Sequence, residues 1–292
     1  MVKTSSPRRG SLGFLPKKRS KKPYPSVSAW PEKEEAKLLG FAGYKAGMTN
    51  VLAVNQEKNS PAFNKDISIP VTILECPPLK VICVRAYEQT GEGLKLIPKK
   101  ELGKKEAKEV RVELETNPPH KKKTEKFEIS IGGTPEKALE YANSILNKEV
   151  KASEIFQEGD FIDIIGITKG KGIQGVIKRW GAKIQGRKAK GRRRHVGALN
   201  AWTPARTMWT SLQAGQMGYH KRTSLNSRII KMGENGEEVT RKGGIPKYGK
   251  VKSEYILVKG SVPGTKKRLV ILRNAIRYNK EKEKPEVKEV VR

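Results

Sequence analysis

Three histidines, two cysteines and two glycine-rich stretches are where this chain could carry covalent, metal or cofactor chemistry. His120 sits in PPHKKK and reads as an exposed loop residue. His195 and His220 have no carboxylate near them in sequence to orient an imidazole. A catalytic triad or a His/Glu metal site would need distant residues. Each histidine therefore reads as a hydrogen-bonding or stacking group toward a partner, or equally as a packing residue. Cys76 and Cys83 lie seven apart in an apolar, strand-like stretch without CxxC spacing or a neighbouring histidine. They read as two small buried thiols of a reducing cytosol, not as a disulfide scaffold or metal site.

GKGIQG, Gly170 to Gly175, matches the GxGxxG pattern and follows an apolar strand. A dinucleotide site also needs a helix after the motif and an acid about twenty residues on. VIKRWG reads instead as another strand, and the next acid is Glu234. A tight turn approached closely by phosphates, or a plain β-turn, fits better. Gly260-Ser-Val-Pro-Gly264-Thr-Lys266 resembles a P-loop, but its second glycine comes one residue early and no Ser or Thr follows Lys266.

The charge pattern is more informative. Ile164 to Gly233 runs seventy residues without an Asp or Glu and carries sixteen Lys or Arg. Met1 to Pro31 has eight Lys or Arg and no acid. The other 191 residues hold 37 basic and 30 acidic side chains, so most of the net +31 sits in these two segments. A segment without acids must find its counter-charge on another molecule, and a nucleic-acid backbone supplies dense, regular negative charge. The centre of the long segment is KAKGRRRHVGALNAWTPARTMW, Lys188 to Trp209. Arg192, Arg193 and Arg194 with Lys190 make a cationic knot; arginine can fork two bonds to phosphate and lie flat on a base. Trp202, beside Thr203-Pro204, and Trp209 read either as groups that pack on RNA or as anchors of a small core.

Around these segments the elements are mainly strands. LLGFAGYKAG, NVLAV, ISIPVTILE, LKVICVRAYE, FIDIIGIT, EYILVKG and KRLVILR are apolar, rich in Val and Ile, and bounded by Gly, Pro and Asn. Short strands in succession suggest a barrel or sandwich. KEVRVELE and KFEISI predict two more strands. Thr134-Pro135 predicts a helix start, with Ala138, Leu139, Ala142, Ile145 and Leu146 on one face through Asn147. The expected organisation is an irregular basic arm over 1–35, a β body over 36–90 and 158–280, and an α+β insertion over 91–157. A basic loop over 182–230 lies within the body, and 281–292 form a mobile tail. Phe14, Leu15, Tyr24 and Trp30 punctuate the arm as groups that stack on bases or fill gaps. No run of eighteen apolar residues can span a bilayer, and no apolar run follows the basic N-terminus as in a secretory signal.

Five stretches in order carry a family resemblance: SPRRGSLGFLPKKR (6–19), GKGIQGVIKRWG (170–181), GALNAWTPARTMW (197–209), AGQMGYHKRTSLNSRI (214–229) and LVKGSVPGTKKRLV (257–270). Together they resemble the universal L-three family of large-subunit ribosomal proteins, in its archaeal and eukaryotic branch. Bacterial members place Gln near Trp202, and eukaryotic members often have His where Lys190 and Thr203 stand; the chain reads as archaeal. The resemblance implies a translation-protein-type β-barrel with an α+β insertion. It implies a primary binder near the 3′ end of 23S rRNA that nucleates subunit assembly in the cytoplasm. Trp202 would tip a loop reaching toward the peptidyl-transferase centre, with Arg192 to Arg194 as a basic thumb beside it.

With the acid-free segments, the resemblance assigns rRNA contact to Arg8, Arg9, Lys17, Lys18 and Arg19 in the arm. At the start of the long segment it assigns Lys169, Lys171, Lys178 and Arg179, and in its centre Arg187, Lys188, Lys190, Arg192, Arg193, Arg194, His195, Trp202 and Arg206. His220, Lys221, Arg222 and Arg228 complete the set. The expected partners are 23S rRNA and neighbouring proteins of the L-fourteen and L-twenty-four-e families, with no membrane and no homo-oligomer. No catalytic residue, cofactor or protein-bound metal is expected, only Mg2+ or K+ belonging to rRNA. A DNA-binding architectural protein is the alternative, although helix-turn-helix periodicity and zinc-ligand spacing are absent. A nucleotide-dependent enzyme is the third reading.

Overall fold

A computed structural model of the chain describes residues 7–56, 60–98, 107–118, 120–277 and 286–291. They fall into two compact units, one of Lys22–Ile167 with Arg222–Arg292, the other of Met1–Lys21 with Thr168–Lys221. The fold is mainly β. In chain order the strands are β1 (Gly40–Val54), β2 (Asp66–Glu75), β3 (Leu79–Thr90), β4 (Gly93–Leu96), β5 (Glu109–Thr116), β6 (Glu125–Ser130) and β7 (Glu149–Val150). They continue with β8 (Phe161–Ile167), β9 (Ile173–Gln174), β10 (Gly215–Gln216), β11 (Lys221–Gly233), β12 (Tyr255–Lys259), β13 (Leu269–Asn274) and β14 (Val287–Val290). The helices are α1 (Pro135–Ser144) and α2 (Val176–Trp180).

In the larger unit, strands lie in the order β13-β8-β11-β12-β2-β1, and β13 pairs again with β1, so six strands return on themselves. Five successive small or aromatic residues of β1, Gly40 to Tyr44, pair with β13 and are buried. β2 pairs along β1 from Tyr44 to Val54 with a bulge between Lys45 and Gly47, and from Val51 burial alternates as on a half-covered sheet. LLGFAGYKAG and NVLAV, expected as separate strands, are thus one bent strand. A second sheet runs β4-β3-β5-β6, with β7 on β3, and α1 packs over β5 and β3. Leu79 to Thr90, grouped above with the body strands, is central to this second sheet. The two sheets share one core that includes Phe41, Tyr44, Leu114, Ile129, Ile164 and Leu272. Each fully buried side chain of this size contributes about 1.5–3 kcal/mol.

Two buried carboxylates organise this unit. Asp163, fully buried on β8, accepts from Arg273 Nη2 at 2.9 Å and from the Asn226 backbone N–H at 3.0 Å. Glu75, at the end of β2, accepts from the Lys252 and Ser253 amides at 2.7 and 3.1 Å and from the Tyr248 hydroxyl. Burial, followed by the Glu75 contact, pushes the Tyr248 phenol far up.

Other expectations shift. α1 starts at Pro135 behind Thr134, although the Thr134 side chain makes no capping bond, and it ends at Ser144 rather than Asn147. Ala138 and Ala142 are buried, Leu139 and Ile145 pack against the core, and Leu146 is exposed. Lys221–Gly233, placed largely in the basic loop, is a thirteen-residue strand; Ile229 and Ile230 are buried, and apolar burial outweighs the charge signal there. The tail expected to be mobile is, over Val287–Val290, a strand on the edge of β1, with Val287 and Val290 against the core and Lys288 paired to Asp66. Residues 281–285 and 292 lie outside the described residues. The arm also divides. Tyr24 and Trp30 pack on the larger unit's core, while residues 7–21 belong to the smaller unit.

His120 is no bare loop residue. It is half-buried between Tyr44 and Tyr248, with ring centroids 4.9 and 5.6 Å away, and its Nε2 donates to the Lys267 carbonyl at 3.0 Å. Burial lowers its pKa. Cys76 is a buried free thiol raised well above its usual pKa by burial and then by Glu254 and Glu75; Cys83 is free but only half-buried. Gly260 to Lys266 leads into β13, and no helix follows it. Among the described residues, no helix is long and apolar enough to cross a membrane.

Candidate nucleic-acid interface

The smaller unit gathers most of the two acid-free segments into one body. Met1–Lys21 and Thr168–Lys221 together hold twenty Lys or Arg and no Asp or Glu. None of these cations has a carboxylate side chain within its own unit.

A two-stranded stem begins the unit. Thr168 N–H donates to the His220 carbonyl, Lys171 N–H to Met217 O and Met217 N–H to Gly172 O, and the ladder continues as β9 on β10. The backbone of the GKGIQG motif is therefore engaged in a ladder. A helix does follow this motif, contrary to expectation. α2 has only five residues, with Arg179 N–H on the Gly175 carbonyl and Gly181 closing it in the left-handed region. The β-branched pair Val176-Ile177 favours a strand locally, but tertiary contacts of Trp180 override that preference. Trp180 is only 6% exposed, and its Nε1 donates to the Gln213 carbonyl at 2.8 Å.

The arm packs on this indole. Gly10 has φ +75°, and a Cβ there would stand 2.7 Å from Trp180 Cε3, so only glycine admits the approach. Lys17 places its ammonium 3.6 Å from the indole centroid and donates to the Arg179 carbonyl at 3.0 Å. It is held by a cation–π contact and a helix-end carbonyl. His220 is a second clip. Its Nε2 accepts from Gly218 N–H at 3.0 Å, which puts the proton on Nδ1, and Nδ1 donates to the Lys18 carbonyl at 2.9 Å. Ser20 N–H adds a bond to the Tyr219 carbonyl.

Three of the assigned side chains are engaged within the protein by this geometry. His220 is 8% exposed with both ring nitrogens committed to the protein. Arg179 spends Nε on the Gln216 carbonyl and Nη1 on the Gln213 carbonyl, and burial lowers its pKa. Lys17 is held as described. Sequence charge cannot distinguish a cation that fastens backbone from one that faces outward. Arg222 and Arg228 are half-buried members of β11 in the larger unit; burial lowers the Arg222 pKa.

The remaining assigned cations face solvent. Arg8, Arg9, Lys18, Arg19, Lys169, Lys171, Lys178, Arg187, Lys188, Lys190, Arg192, Arg193, Arg194, Arg206 and Lys221 are exposed, as are His195 and the unassigned Lys183. Arg8 donates to the Thr210 carbonyl at 2.7 Å, and Arg19 stands 5.4 Å over the Tyr219 ring. Trp202 and Trp209 do not anchor a core: they are 96% and 70% exposed. Asn200 closes the turn that carries Trp202, its Nδ2 donating to the Pro204 and Arg206 carbonyls at 3.3 and 2.9 Å. Sequence reasoning missed Gly10, Trp180 and Asn200. Only Asn200, a turn-forming residue before Trp-Thr-Pro, left a local signal.

Gly218 tests the stem. At φ +75° its Cβ would run into the Lys169 carbonyl oxygen. Gly218→Ala is expected to cost about 1–3 kcal/mol and to speed hydrogen exchange at the Lys171 and Met217 amides. Unchanged exchange there would show that the stem tolerates a side chain.

Exposed guanidinium groups, exposed indoles and no carboxylate make a surface of the kind that suits a polyanion. Among the described residues, no group of three or more His, Cys, Asp or Glu could hold a metal. Comparison with known sequences is specific about the kind. The model of the family described as "Ribosomal protein L3" matches residues 1–117 and 100–291. The "Large ribosomal subunit protein uL3" of Methanobrevibacter smithii is 48% identical over 97% of this chain and 95% of its own length. That of Methanothermobacter thermautotrophicus is 48% identical over 98% and 97%, and that of Archaeoglobus fulgidus 45% over 94% and 93%. The chain belongs to the ribosomal protein L3 family; it is a ribosomal protein and not an enzyme.

Proposed function

We propose that the chain is a structural protein of the large ribosomal subunit in the cytoplasm, and that it binds near the 3′ end of 23S rRNA and nucleates assembly there. The observation that carries this reading is the smaller unit itself, which gathers most of both acid-free segments and exposes most of their cations. Such a unit suffers self-repulsion when alone and is stabilised when rRNA phosphates replace released counterions. Shape, stacking and phosphate contacts would dominate over base reading. The six-strand ring is taken as the family's translation-protein-type barrel. Proteins of the L-fourteen and L-twenty-four-e families are the proposed neighbours, and the only ions expected at the interface are Mg2+ or K+ of the rRNA.

The test is binding to a 3′-proximal rRNA fragment across salt, with duplex DNA and unrelated RNA as competitors. Beside it runs a variant whose residues 182–214 are replaced by a short Gly-Ser turn. Preference for the rRNA fragment, with affinity and salt slope both reduced in the variant, is the expected result. Equal competition by any polyanion would favour the DNA-binding alternative.

Trp202 is proposed to tip the loop toward the peptidyl-transferase centre. It has almost no burial to lose, so Trp202→Ala should leave the melting temperature of the protein unchanged. Subunits carrying it should bind A-site tRNA less well or form peptide bonds more slowly. Unchanged values of both would sink this role.

A further inference from the structure

The larger unit carries a basic surface that its near-balanced composition conceals. Between Glu238 and Glu254 the chain has fifteen residues with Arg241, Lys242, Lys247, Lys250 and Lys252 and no acid. All five cations are exposed. Residues 235–242 and 250–252 come together around a cleft of about 520 Å³, lined by Arg241, Lys242, Lys250 and Lys252 with Asn235 and Thr240. Glu237 is the one carboxylate in its lining. Among the described residues none of these four cations has an ion-pair partner, whereas Lys231 nearby is paired to Glu238 at 2.8 Å.

The cleft is held open by buried contacts. Thr240 Oγ1 donates to the Gly236 carbonyl at 2.7 Å and accepts from Val251 N–H at 3.3 Å, which ties the two walls together. Behind them the fully buried Glu75 accepts the Lys252 and Ser253 amides and the Tyr248 hydroxyl. Four like charges on a braced cleft repel one another, and Glu237, the one carboxylate of the lining, leaves an excess of three positive charges. A preformed cationic cleft of this kind suits a tetrahedral oxyanion with a second one a short step away, as along a sugar–phosphate backbone.

We infer that this cleft is a second RNA-phosphate site, on the larger unit and independent of the acid-free unit. The inference rests on the rRNA-binding reading above and adds to it residues that charge counting along the chain had placed in a neutral body. Duplex or single-stranded rRNA backbone is the occupant; Arg241 and Lys242 grip from one wall, Lys250 and Lys252 from the other.

The experiment compares the full chain with R241Q/K242Q/K250Q/K252Q on the same rRNA fragment. Salt titration and hydroxyl-radical footprinting are the readouts. All four side chains are exposed, so the variant should melt as the parent does. Its salt slope should fall by about 3, each lost phosphate contact removing roughly 0.7–0.9. One discrete backbone protection should vanish while those sensitive to Arg192, Arg193 and Arg194 substitution persist. An unchanged slope and an unchanged footprint would overturn the second site and leave the rRNA reading standing. Failure of the parent chain to select the rRNA fragment would remove the reading on which the inference rests.

Discussion

Asp163→Ala will cost the larger unit about 3–5 kcal/mol, a large part of an ordinary domain's stability. The side chain is fully buried and, among the described residues, is the one carboxylate bonded to the Arg273 guanidinium, at 2.9 Å from Nη2 and 3.3 Å from Nε. Removing it strands a buried positive charge. It also leaves the Asn226 amide, at a left-handed residue with φ +55°, without its acceptor. Urea denaturation of parent and variant measures the loss. Asp163→Ala with Arg273→Met should recover much of it, because the charge left unpaired is the main penalty. A single variant as stable as the parent would show that water reaches the pair and that the burial argument is wrong.

Replacing Arg192, Arg193 and Arg194 together by glutamine will weaken rRNA binding without touching the fold. The three are exposed and stand in a unit without carboxylates, so their loss removes no internal ion pair. The slope of log affinity against log salt should drop by about 2–3. At about 0.15 M salt the affinity should fall on the order of tenfold or more. Lys17→Gln provides the contrast. Its ammonium lies on Trp180 and the Arg179 carbonyl, so its loss should loosen the arm and raise hydrogen exchange around α2 with little change in salt slope. Equal salt effects from both changes would mean that inward and outward cations play the same part.

The strands were legible wherever apolar residues ran between turn formers. ISIPVTILE, KRLVILR and KFEISI lie where β2, β13 and β6 lie, because short apolar runs and β-branched content are local properties. β11 was hidden for the opposite reason. Arg222, Arg228 and Lys231 made Lys221–Gly233 look like part of the basic loop, and only the burial of Ile229 and Ile230 against other strands makes it a core element. α2 was hidden because five residues carry too little periodicity, and Trp180 finds its place only against Gly10, far away in the chain.

The sequence by itself determined the polarity of this protein. An uninterrupted absence of acids is a property of composition, and no folding can supply a missing carboxylate within those segments. The family, too, was readable, because its motifs are contiguous stretches. Only the tertiary structure decided which cations are available. Charge is set by residue type, but exposure is set by what else comes near. Lys17, Arg179 and His220 are bonded to backbone carbonyls and amides brought in from elsewhere in the chain. Arg241, Lys242, Lys250 and Lys252 converge because a buried glutamate and a threonine hydroxyl fold two short segments around one cleft.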